Sequence, residues 1–309
     1  MFGHNEIVGK KYFDKAAPDQ LFVTSMFMTL QGEGPFRGEP AFFVRLAKCN
    51  LACTFCDTFF DDGDWLTFSE IEWRIDQAIR EFYASKQIVQ PEWSKYTREM
   101  VTPIAKDVMS APQPRPIGHK RKMVLVITGG EPMLQTNLGP FLERMSLQFE
   151  KTQIESNGTQ NTAIPSSTTL VCSPKCLEKN GVAVKYLAPR EEVLDRADCL
   201  KFVMEADPAS PYSTIPDWAH EWARKTGKPV FISPMNVYNQ VPQKAKDLRA
   251  KTNQISMAER STIDEVISFW EPGLLNMEEN QKNHEYVAKF CVENGYIMNL
   301  QIHLYASLA

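Results

Sequence analysis

An α/β fold built on a mainly parallel sheet is predicted from three features of this 309-residue sequence. Short apolar runs bounded by turn residues recur along the chain, and segments with the apolar spacing of an amphipathic helix lie between them. Most of the apolar runs are continuous rather than alternating, which is typical of strands that are covered on both faces. Strands that alternate with helices predict βα units, and therefore a parallel sheet or barrel.

Eight strands and four helices are predicted along the chain. The strands are Phe22–Leu30, Ala41–Ala47, Met123–Thr128, Thr152–Ser156, Thr169–Cys172, Cys199–Met204, Val230–Ser233 and Tyr296–Ile302. In the first helix, Thr67–Phe82, apolar residues recur on one face, and Thr67 with Glu70 forms a capping box at its start. Stop glycines follow two of the remaining helices, which are Asp217–Lys225, Ser261–Trp270 and Asn283–Asn294.

We predict a single domain over residues 1–309, enlarged by two insertions that interrupt the alternation of strands and helices. The first insertion, at about residues 86–121, contains five prolines and is expected to be partly helical with a loose proline-rich arm. The second insertion, at about residues 237–260, is polar and rich in lysine and glutamine. The sequence contains no internal repeat.

The composition excludes several classes of protein. The chain has 34 basic and 38 acidic side chains, so its net charge of −4 argues against binding of nucleic acid through bulk charge. No apolar run approaches the ~20 residues that a membrane span needs. The N-terminus lacks the apolar core of a secretory signal. We therefore expect a cytoplasmic protein that binds neither nucleic acid nor membrane.

Three of the seven cysteines, Cys49, Cys53 and Cys56, lie within eight residues of one another. An odd number of cysteines clustered in this way favours metal or redox chemistry over a disulfide framework. The three thiols follow a predicted strand, at the edge of a parallel sheet where ligands bind. Three thiolates can hold three irons of a 4Fe–4S cluster, which leaves the fourth iron open. A structural zinc site and a ferredoxin cluster would each need a fourth ligand, and none is obvious nearby.

The four remaining cysteines are interpreted differently. Cys172 and Cys176 have a C-x3-C spacing, but Cys199 and Cys291 lie far from them within apolar segments. We therefore expect these thiols to behave as small buried hydrophobic groups rather than as ligands of a second cluster.

A second ligand-binding pattern is the sequence V-L-V-I-T-G-G-E-P at residues 124–132. Gly129 and Gly130 allow a close backbone approach to a ligand, and the carboxylate of Glu131 can accept a hydrogen bond from an ammonium group. Together with the C-x3-C-x2-C spacing, this pattern resembles the radical S-adenosylmethionine (SAM) superfamily. The resemblance implies an incomplete (β/α) barrel. It also implies that SAM binds the open iron through its amino and carboxylate groups and is cleaved reductively to methionine and a 5′-deoxyadenosyl radical.

The string T-L-Q-G-E-G-P-F-R-G-E-P-A-F-F-V-R-L-A-K-C-N-L-A-C-T-F-C-D-T, residues 29–58, is similar to the N-terminal signature of 7-carboxy-7-deazaguanine synthases. Further matches follow in family order: T-G-G-E-P at Thr128, I-E-S-N-G-T at Ile154, C-S-P-K at Cys172, L-K-F-V at Leu200, I-S-P-M at Ile232 and Q-I-H-L-Y at Gln301. The resemblance implies hydrogen abstraction from C6 of 6-carboxy-5,6,7,8-tetrahydropterin. Ring contraction and loss of ammonia then give 7-carboxy-7-deazaguanine for queuosine and related 7-deazapurines.

The resemblance also implies residue roles. SAM and the cluster carry the chemistry, so no catalytic side chain is predicted. Arg45 offers a planar fork for the substrate carboxylate, and Thr58 matches a threonine that binds Mg²⁺. The other predicted substrate contacts are Leu30, Gln31, Gly32, Thr128 and Gln301. The predicted cofactor contacts are Gly129, Gly130, Glu131, Ser156, Asn157, Ser173, Lys175, Ser233 and Met235.

Several alternatives stay open at this point. Arg45 and His303 are compatible with structural roles, Lys175 with a surface lysine, and Glu33 with a turn-holding role. Leu304 stands where the family usually has a lysine. A glycyl-radical-enzyme activase and a non-catalytic iron–sulfur or zinc module are the rival functions. The resemblance further implies an electron-donor protein such as a flavodoxin, and a homodimer.

Overall fold

The computed structural model describes residues 6–56, 58, 60–97, 118–238 and 276–302. This part of the chain forms one nine-stranded sheet, a separate two-stranded hairpin and five α-helices. The helices are α1 Phe68–Ser85, α2 Leu138–Met145, α3 Glu191–Arg196, α4 Asp217–Thr226 and α5 Met277–Asn294. None of the helices in these ranges is long and apolar enough to cross a lipid bilayer.

The large sheet has the strand order β11-β10-β9-β6-β5-β4-β2-β1-β3. Its strands are β1 Gln20–Leu30, β2 Pro40–Leu46, β3 Asp64–Thr67, β4 Arg121–Gly129, β5 Phe149–Ser156, β6 Thr168–Cys172, β9 Cys199–Met204, β10 Val230–Pro234 and β11 Ile297–Met298. The seven strands from β2 to β11 in this order are mutually parallel, and β1 is antiparallel to both of its neighbours. Within the described residues β3 and β11 do not pair, so the sheet is open. The predicted α/β fold with an incomplete barrel is confirmed.

The central strand β4 shows why the apolar runs of this sequence are continuous. Val124 and Val126 pack in a small cluster with Ala41 on one face of the sheet. Leu125 and Ile127 belong on the other face to the main core, which also contains the buried side chains of α1 and α2. Both faces of β4 are therefore covered, as the prediction required.

The start of α1 and the ends of α4 and α5 have the predicted capping residues. The Thr67 hydroxyl accepts a hydrogen bond from Glu70 N (3.2 Å), and the Glu70 carboxylate accepts one from Thr67 N (2.7 Å), which confirms the capping box at the start of α1. Gly227 and Gly295 have φ angles of 67° and 70° and end α4 and α5, which confirms both stop glycines.

The prediction differs from the structure at several elements. Neither α2 nor α3 was predicted, and α5 begins at Met277 rather than at Asn283. The hairpin β7 Cys176–Lys179 and β8 Val182–Tyr186 was not predicted, nor was the short strand β3. The last strand is shorter than its predicted range. Several predicted features lie outside the described residues: most of both insertions, the helix at 261–270, and His303 with Leu304.

Candidate active site

A cavity opens at the carboxyl ends of the parallel strands, where ligands bind in open α/β sheets. Its walls come from the ends of β2, β4, β5, β9 and β10, together with the loop that carries the three cysteines. All but three of the predicted site residues line it, namely Gln31, Gly32, Arg45, Cys49, Cys53, Cys56, Thr58, Thr128, Gly129, Gly130, Ser156, Asn157, Ser173, Lys175, Ser233 and Gln301. The fold therefore brings together positions that are spread along nearly the whole chain.

The cysteine loop, residues 48–60, is closed at its base by a hydrogen bond from Lys48 N to Phe60 O (2.6 Å). Lys48 has a left-handed φ of 70°, which turns the chain away from β2 at the loop's first residue. A second turn brings the later thiols together, because Cys56 N donates to the carbonyl oxygen of Cys53 (3.1 Å). These two turns place all three cysteines on the wall of one cavity.

The three thiols are the ligands that the sequence predicts for a 4Fe–4S cluster. Within the described residues, no group of three His, Cys, Asp or Glu side chains is arranged to hold one metal ion. In a 4Fe–4S cluster each cysteine binds a different iron, so the thiols line a shared space without converging on one point. Burial raises the pKa of the Cys53 thiol to about 12, although the Lys175 ammonium lowers it in part. Irons bound by Cys49, Cys53 and Cys56 would supply the positive charge that makes the buried thiolates favourable.

Gly129 and Gly130 have a structural role in addition to facing the cavity. Gly129 has a left-handed φ of 112°, and a side chain there would overlap the backbone of Leu46 in β2. A side chain at Gly130 would overlap the carbonyl oxygen of Lys48. The backbone hydrogen bonds Gly130 N to Leu46 O (2.8 Å) and Glu131 N to Lys48 O (2.9 Å) depend on this approach. The paired glycines therefore join the end of β4 to the start of the cysteine loop.

Glu131 does not line the cavity, in contrast to its predicted contact with the cofactor. The carboxylate is completely buried and accepts hydrogen bonds from Met133 N (2.9 Å), Ser156 Oγ (2.8 Å) and Asn157 N (2.7 Å). Burial raises the pKa of Glu131, and these three hydrogen bonds lower it in part. This side chain ties the end of β4 to the end of β5.

Leu30 and Met235 are also absent from the cavity wall, although their neighbours Gln31, Pro234 and Asn236 line it. Adjacent residues in extended chain point to opposite faces, so the two side chains face away when their neighbours face inward. Met235 packs instead in a small cluster with Cys176 and Tyr212. A prediction from motif position alone does not distinguish these two faces.

A buried charge network at the cavity wall was not predicted. Lys201 Nζ lies 2.6 Å from a carboxylate oxygen of Glu33 and 2.6 Å from one of Glu155. Ser233 Oγ donates to the second oxygen of Glu33 (2.8 Å), and Gln31 Nε2 donates to the second oxygen of Glu155 (3.2 Å). A signal was present in the sequence, because Lys201 is a lysine inside an otherwise apolar strand. We call Lys201, Glu33 and Glu155 the charge triad.

The opposite charges of the triad stabilise one another. Burial would lower the pKa of Lys201, but the carboxylates of Glu155 and Glu33 raise it above its ordinary value. Burial would raise the pKa of Glu33, but the charge and hydrogen bond of Lys201 and the hydrogen bond of Ser233 hold it below its ordinary value. Lys201 and Glu33 are therefore both charged at neutral pH, and the buried ammonium of Lys201 is paired with the carboxylates of Glu33 and Glu155.

Two further cations face the cavity. The ammonium of Lys175 donates to the carbonyl (2.7 Å) and hydroxyl (2.6 Å) oxygens of Ser173, and no carboxylate of the described residues lies within ion-pair distance of it. Burial and the Lys201 charge lower the pKa of Lys175. The guanidinium of Arg45 lies 4.9 Å from the ring centroid of Phe27, a cation–π contact that orients it. Both cations are suited to bind anionic groups of ligands.

The cysteines outside the loop are buried, as expected, and all seven cysteines are free thiols. Cys172 and Cys199 lie in the large sheet, Cys176 is the first residue of strand β7 (Cys176–Lys179), and Cys291 lies on α5. None of these four lines the cavity.

Comparison with known proteins gives a consistent group of relatives, whereas no protein-family profile matches the chain. A protein named 7-carboxy-7-deazaguanine synthase from Rickettsia prowazekii is 33% identical over 257 residues, which is 83% of this chain and 87% of that protein. A protein of the same name from Rhodospirillum rubrum is 29% identical over 76% of this chain and 82% of its own length. Among solved structures, QueE from Escherichia coli matches with 17% identity and a TM-score of 0.47, covering 96% of this chain and 99% of that one.

Proposed function

Because this chain belongs to the 7-carboxy-7-deazaguanine synthases, we propose that the cavity described above is where it performs that reaction. The enzyme is a radical SAM protein with a 4Fe–4S cluster. It converts 6-carboxy-5,6,7,8-tetrahydropterin to 7-carboxy-7-deazaguanine and ammonia in queuosine biosynthesis. When bound, the cluster and SAM supply the radical that abstracts hydrogen from the substrate. The observation that carries the assignment of the site is that Cys49, Cys53 and Cys56 share one cavity with the strand end at Gly129 and Gly130.

The side chains of this chain bind and orient the two ligands. We assign the three cysteine thiols to three irons of the cluster. Lys175 and Ser173 lie on the same wall as Cys53, and the Lys175 charge acts on that thiol. An ammonium without a carboxylate partner suits the carboxylate of SAM. Ser156 and Asn157 add polar groups at the end of β5, and Gly129, Gly130 and Ser233 complete this part of the wall.

The charge triad and Arg45 are assigned to the substrate. Arg45 binds the carboxylate of the pterin through its planar guanidinium. Glu33 and Glu155 accept hydrogen bonds from the N–H groups of the pterin, because both carboxylates line the cavity and are held there by Lys201. Gln31 is held by Glu155, and Gln301 accepts a hydrogen bond from Asn236 Nδ2 (2.6 Å), so both amides are oriented before a ligand arrives. Gly32 and Thr128 line the same cavity and are assigned to the substrate as well.

Three finer points belong to the same proposal. Thr58 is buried and lines the cavity close to Cys56, so its hydroxyl oxygen is a suitable ligand for Mg²⁺.

All seven cysteines are free thiols, which suits an enzyme of the reducing cytoplasm. An electron carrier such as a flavodoxin would reduce the cluster, and the resemblance to the family supports a homodimer.

Anaerobic reconstitution tests the function directly. With iron, sulfide, SAM, Mg²⁺, dithionite and the carboxytetrahydropterin, we expect 7-carboxy-7-deazaguanine to form, detected by mass spectrometry. Cys53→Ala removes one of three iron ligands, so we expect loss of product and of the cluster's EPR signal. The matched control Cys291→Ala alters a buried thiol outside the cavity and should keep both. Cleavage of SAM without formation of the deazaguanine product would overturn the substrate assignment. That result would favour the alternative function, a glycyl-radical-enzyme activase.

A prediction for Arg45 separates substrate binding from a structural role. Lysine at this position keeps the charge but loses the planar fork, so Arg45→Lys should weaken binding of 6-carboxypterin about 10- to 100-fold. Binding of unsubstituted pterin, which lacks the carboxylate, should change less than about two-fold because it makes no charge-assisted hydrogen bond there. Calorimetric titration of both ligands measures this difference. Equal weakening for the two ligands would mean that Arg45 only supports the fold.

A further inference from the structure

The hairpin β7–β8 stands apart from the nine-stranded sheet. Its strands pair Leu177 with Lys185 and Lys179 with Val182 through the tight turn Asn180–Gly181. Both turn residues have left-handed φ angles, 52° and 76°, which suits the twist of a two-residue hairpin. A two-stranded hairpin is only marginally stable by itself, so its position depends on what it contacts.

The inner side of the hairpin is attached to the cysteine loop. Glu178 accepts a hydrogen bond from the backbone N–H of Thr54 (2.8 Å), and Thr54 follows the cluster ligand Cys53 directly. At the hairpin turn, a side-chain carbon placed on Gly181 would lie 3.6 Å from the methyl group of Thr54, which is van der Waals distance. The hairpin therefore lies against the part of the loop that holds Cys53 and Cys56.

Aromatic rings form a second connection between the loop and the hairpin. The ring of Phe55 packs edge-on against Tyr212 at 5.1 Å, and Tyr212 packs against Tyr186 of β8 at 5.6 Å. Tyr212 also accepts a hydrogen bond from Cys176 N (3.0 Å) at the start of β7. Cluster ligands and hairpin are thus parts of one packed unit.

The outer side of the hairpin faces solvent and has an unusual composition. Val182 is 65% exposed and Val184 is 47% exposed. Lys179 and Lys185 are exposed beside them, whereas the single carboxylate of the hairpin, that of Glu178, is directed inward to Thr54. The outer face, defined by these four residues, is therefore apolar at its centre and positively charged.

We propose that this outer face is the docking surface for an acidic one-electron carrier protein, an inference that rests on the proposed function. The carrier gives up one electron and is oxidised, the cluster accepts it and is reduced from the 2+ to the 1+ state, and no bond is made or broken. The hairpin is suited to this role because it is exposed on one side and contacts the cluster loop on the other. A carrier bound here sits close to the cluster.

The positive charge of Lys179 and Lys185 determines which kind of partner can bind the outer face. The chain has a net charge of −4, so an acidic carrier is repelled by the molecule as a whole and is attracted only where positive charge is concentrated. A second copy of this chain bound symmetrically through the same face would bring these two lysines against their counterparts. The lysines therefore favour an acidic partner over self-association.

The test compares two charge reversals of equal size. The double variant K179E/K185E changes the outer face, and the matched control K120E/K122E reverses two exposed lysines at the start of β4, at the opposite end of the strands from the cavity. Binding of an oxidised, acidic flavodoxin to the holoenzyme is measured by fluorescence anisotropy of its flavin. We expect K179E/K185E to weaken binding at low salt about ten-fold or more, and the control to change it less than about three-fold.

Turnover with two reductants distinguishes this proposal from the proposed function. Dithionite needs no docking surface, so with this reductant K179E/K185E should retain the wild-type rate of turnover. With reduced flavodoxin at a limiting concentration, its rate of turnover should fall by the same factor as its affinity for flavodoxin. If wild-type enzyme makes no product with dithionite, the proposed function fails. If dithionite supports turnover and both reversals affect flavodoxin binding equally, or if K179E/K185E changes only the oligomeric state, the docking proposal fails.

Discussion

Replacing Lys201 with methionine is expected to lower the free energy of unfolding by about 3–5 kcal/mol at pH 7, because it leaves two buried carboxylates without a counter-charge. The side chains of Lys201, Glu33 and Glu155 are 7%, 12% and 13% exposed, so water cannot replace the lost partner. Urea denaturation monitored by circular dichroism measures the change. The control Lys282→Met removes an exposed lysine on α5 that pairs with Glu278 and Glu279, and should cost less than about 1 kcal/mol.

The pH dependence of this variant has a defined sign. In the wild type, Glu33 has a pKa below its ordinary value of 4.5, so its contribution to stability is present above that value and is lost as the pH falls through the lowered pKa. Without Lys201, burial is the largest remaining influence on Glu33 and raises the pKa of its carboxyl group. The folded variant then binds protons more readily than the unfolded chain and gains stability as the pH falls. The difference from wild type should therefore shrink between pH 7 and pH 5.

Neutralising the two carboxylates should rescue the variant. K201M/E33Q/E155Q removes the charges that K201M leaves unpaired, so we expect it to recover most of the lost stability but not substrate binding, because the acceptors of the pterin site are changed. A loss of less than about 1 kcal/mol in K201M would contradict the account of the triad as a mutually dependent charge network.

The second large effect is expected for Gly130→Ala, which places a methyl group on the carbonyl oxygen of Lys48. Either β4 or the first turn of the cysteine loop must move, and the hydrogen bond from Glu131 N to Lys48 O is then lost. We expect a loss of about 3 kcal/mol in stability, typical of a backbone clash in a buried site. We also expect a much lower iron content after reconstitution, because Cys49 follows Lys48 directly.

Gly9→Ala is the matched control for this substitution. Gly9 has ordinary φ, and an added side chain would meet no atom within 4 Å, so the change in stability should stay within about 0.5 kcal/mol. Iron content measured by colorimetric assay and denaturation by urea give two independent measurements. If Gly130→Ala keeps full iron content and stability, the proposed link between the glycine pair and the cysteine loop is wrong.

The elements that the sequence predicted well have local causes. The capping box of α1 and the stop glycines after α4 and α5 each depend on residues within one turn of the chain, so the pattern and the structure agree. The hairpin was missed although its turn, Asn180–Gly181, is the dipeptide that favours a two-residue hairpin. Its strands are short and one face is exposed, so the apolar runs used to identify strands do not reveal them.

Whether a predicted site residue lines the cavity has a different cause. A family motif identifies which segment reaches the cavity, and most of the predicted residues do line it. Glu131, Leu30 and Met235 belong to such segments, but their side chains turn to the interior or to the opposite face. Backbone alternation and competing hydrogen-bond donors decide this direction, and neither is visible in a motif.

By itself, the sequence determined the family of this protein, and with it the chemistry, through motifs that resemble those of known members. The C-x3-C-x2-C spacing, like a helix cap, is a local relationship: three thiols within eight residues limit what they can bind. Only the tertiary structure determined which charged side chains pair with one another at the wall of the cavity. Lys201 meets Glu33 across 168 residues and Glu155 across 46, and Gly130 meets the cysteine loop across the sheet. The order and register of parallel strands set those contacts, and they depend on packing between distant segments rather than on any local pattern.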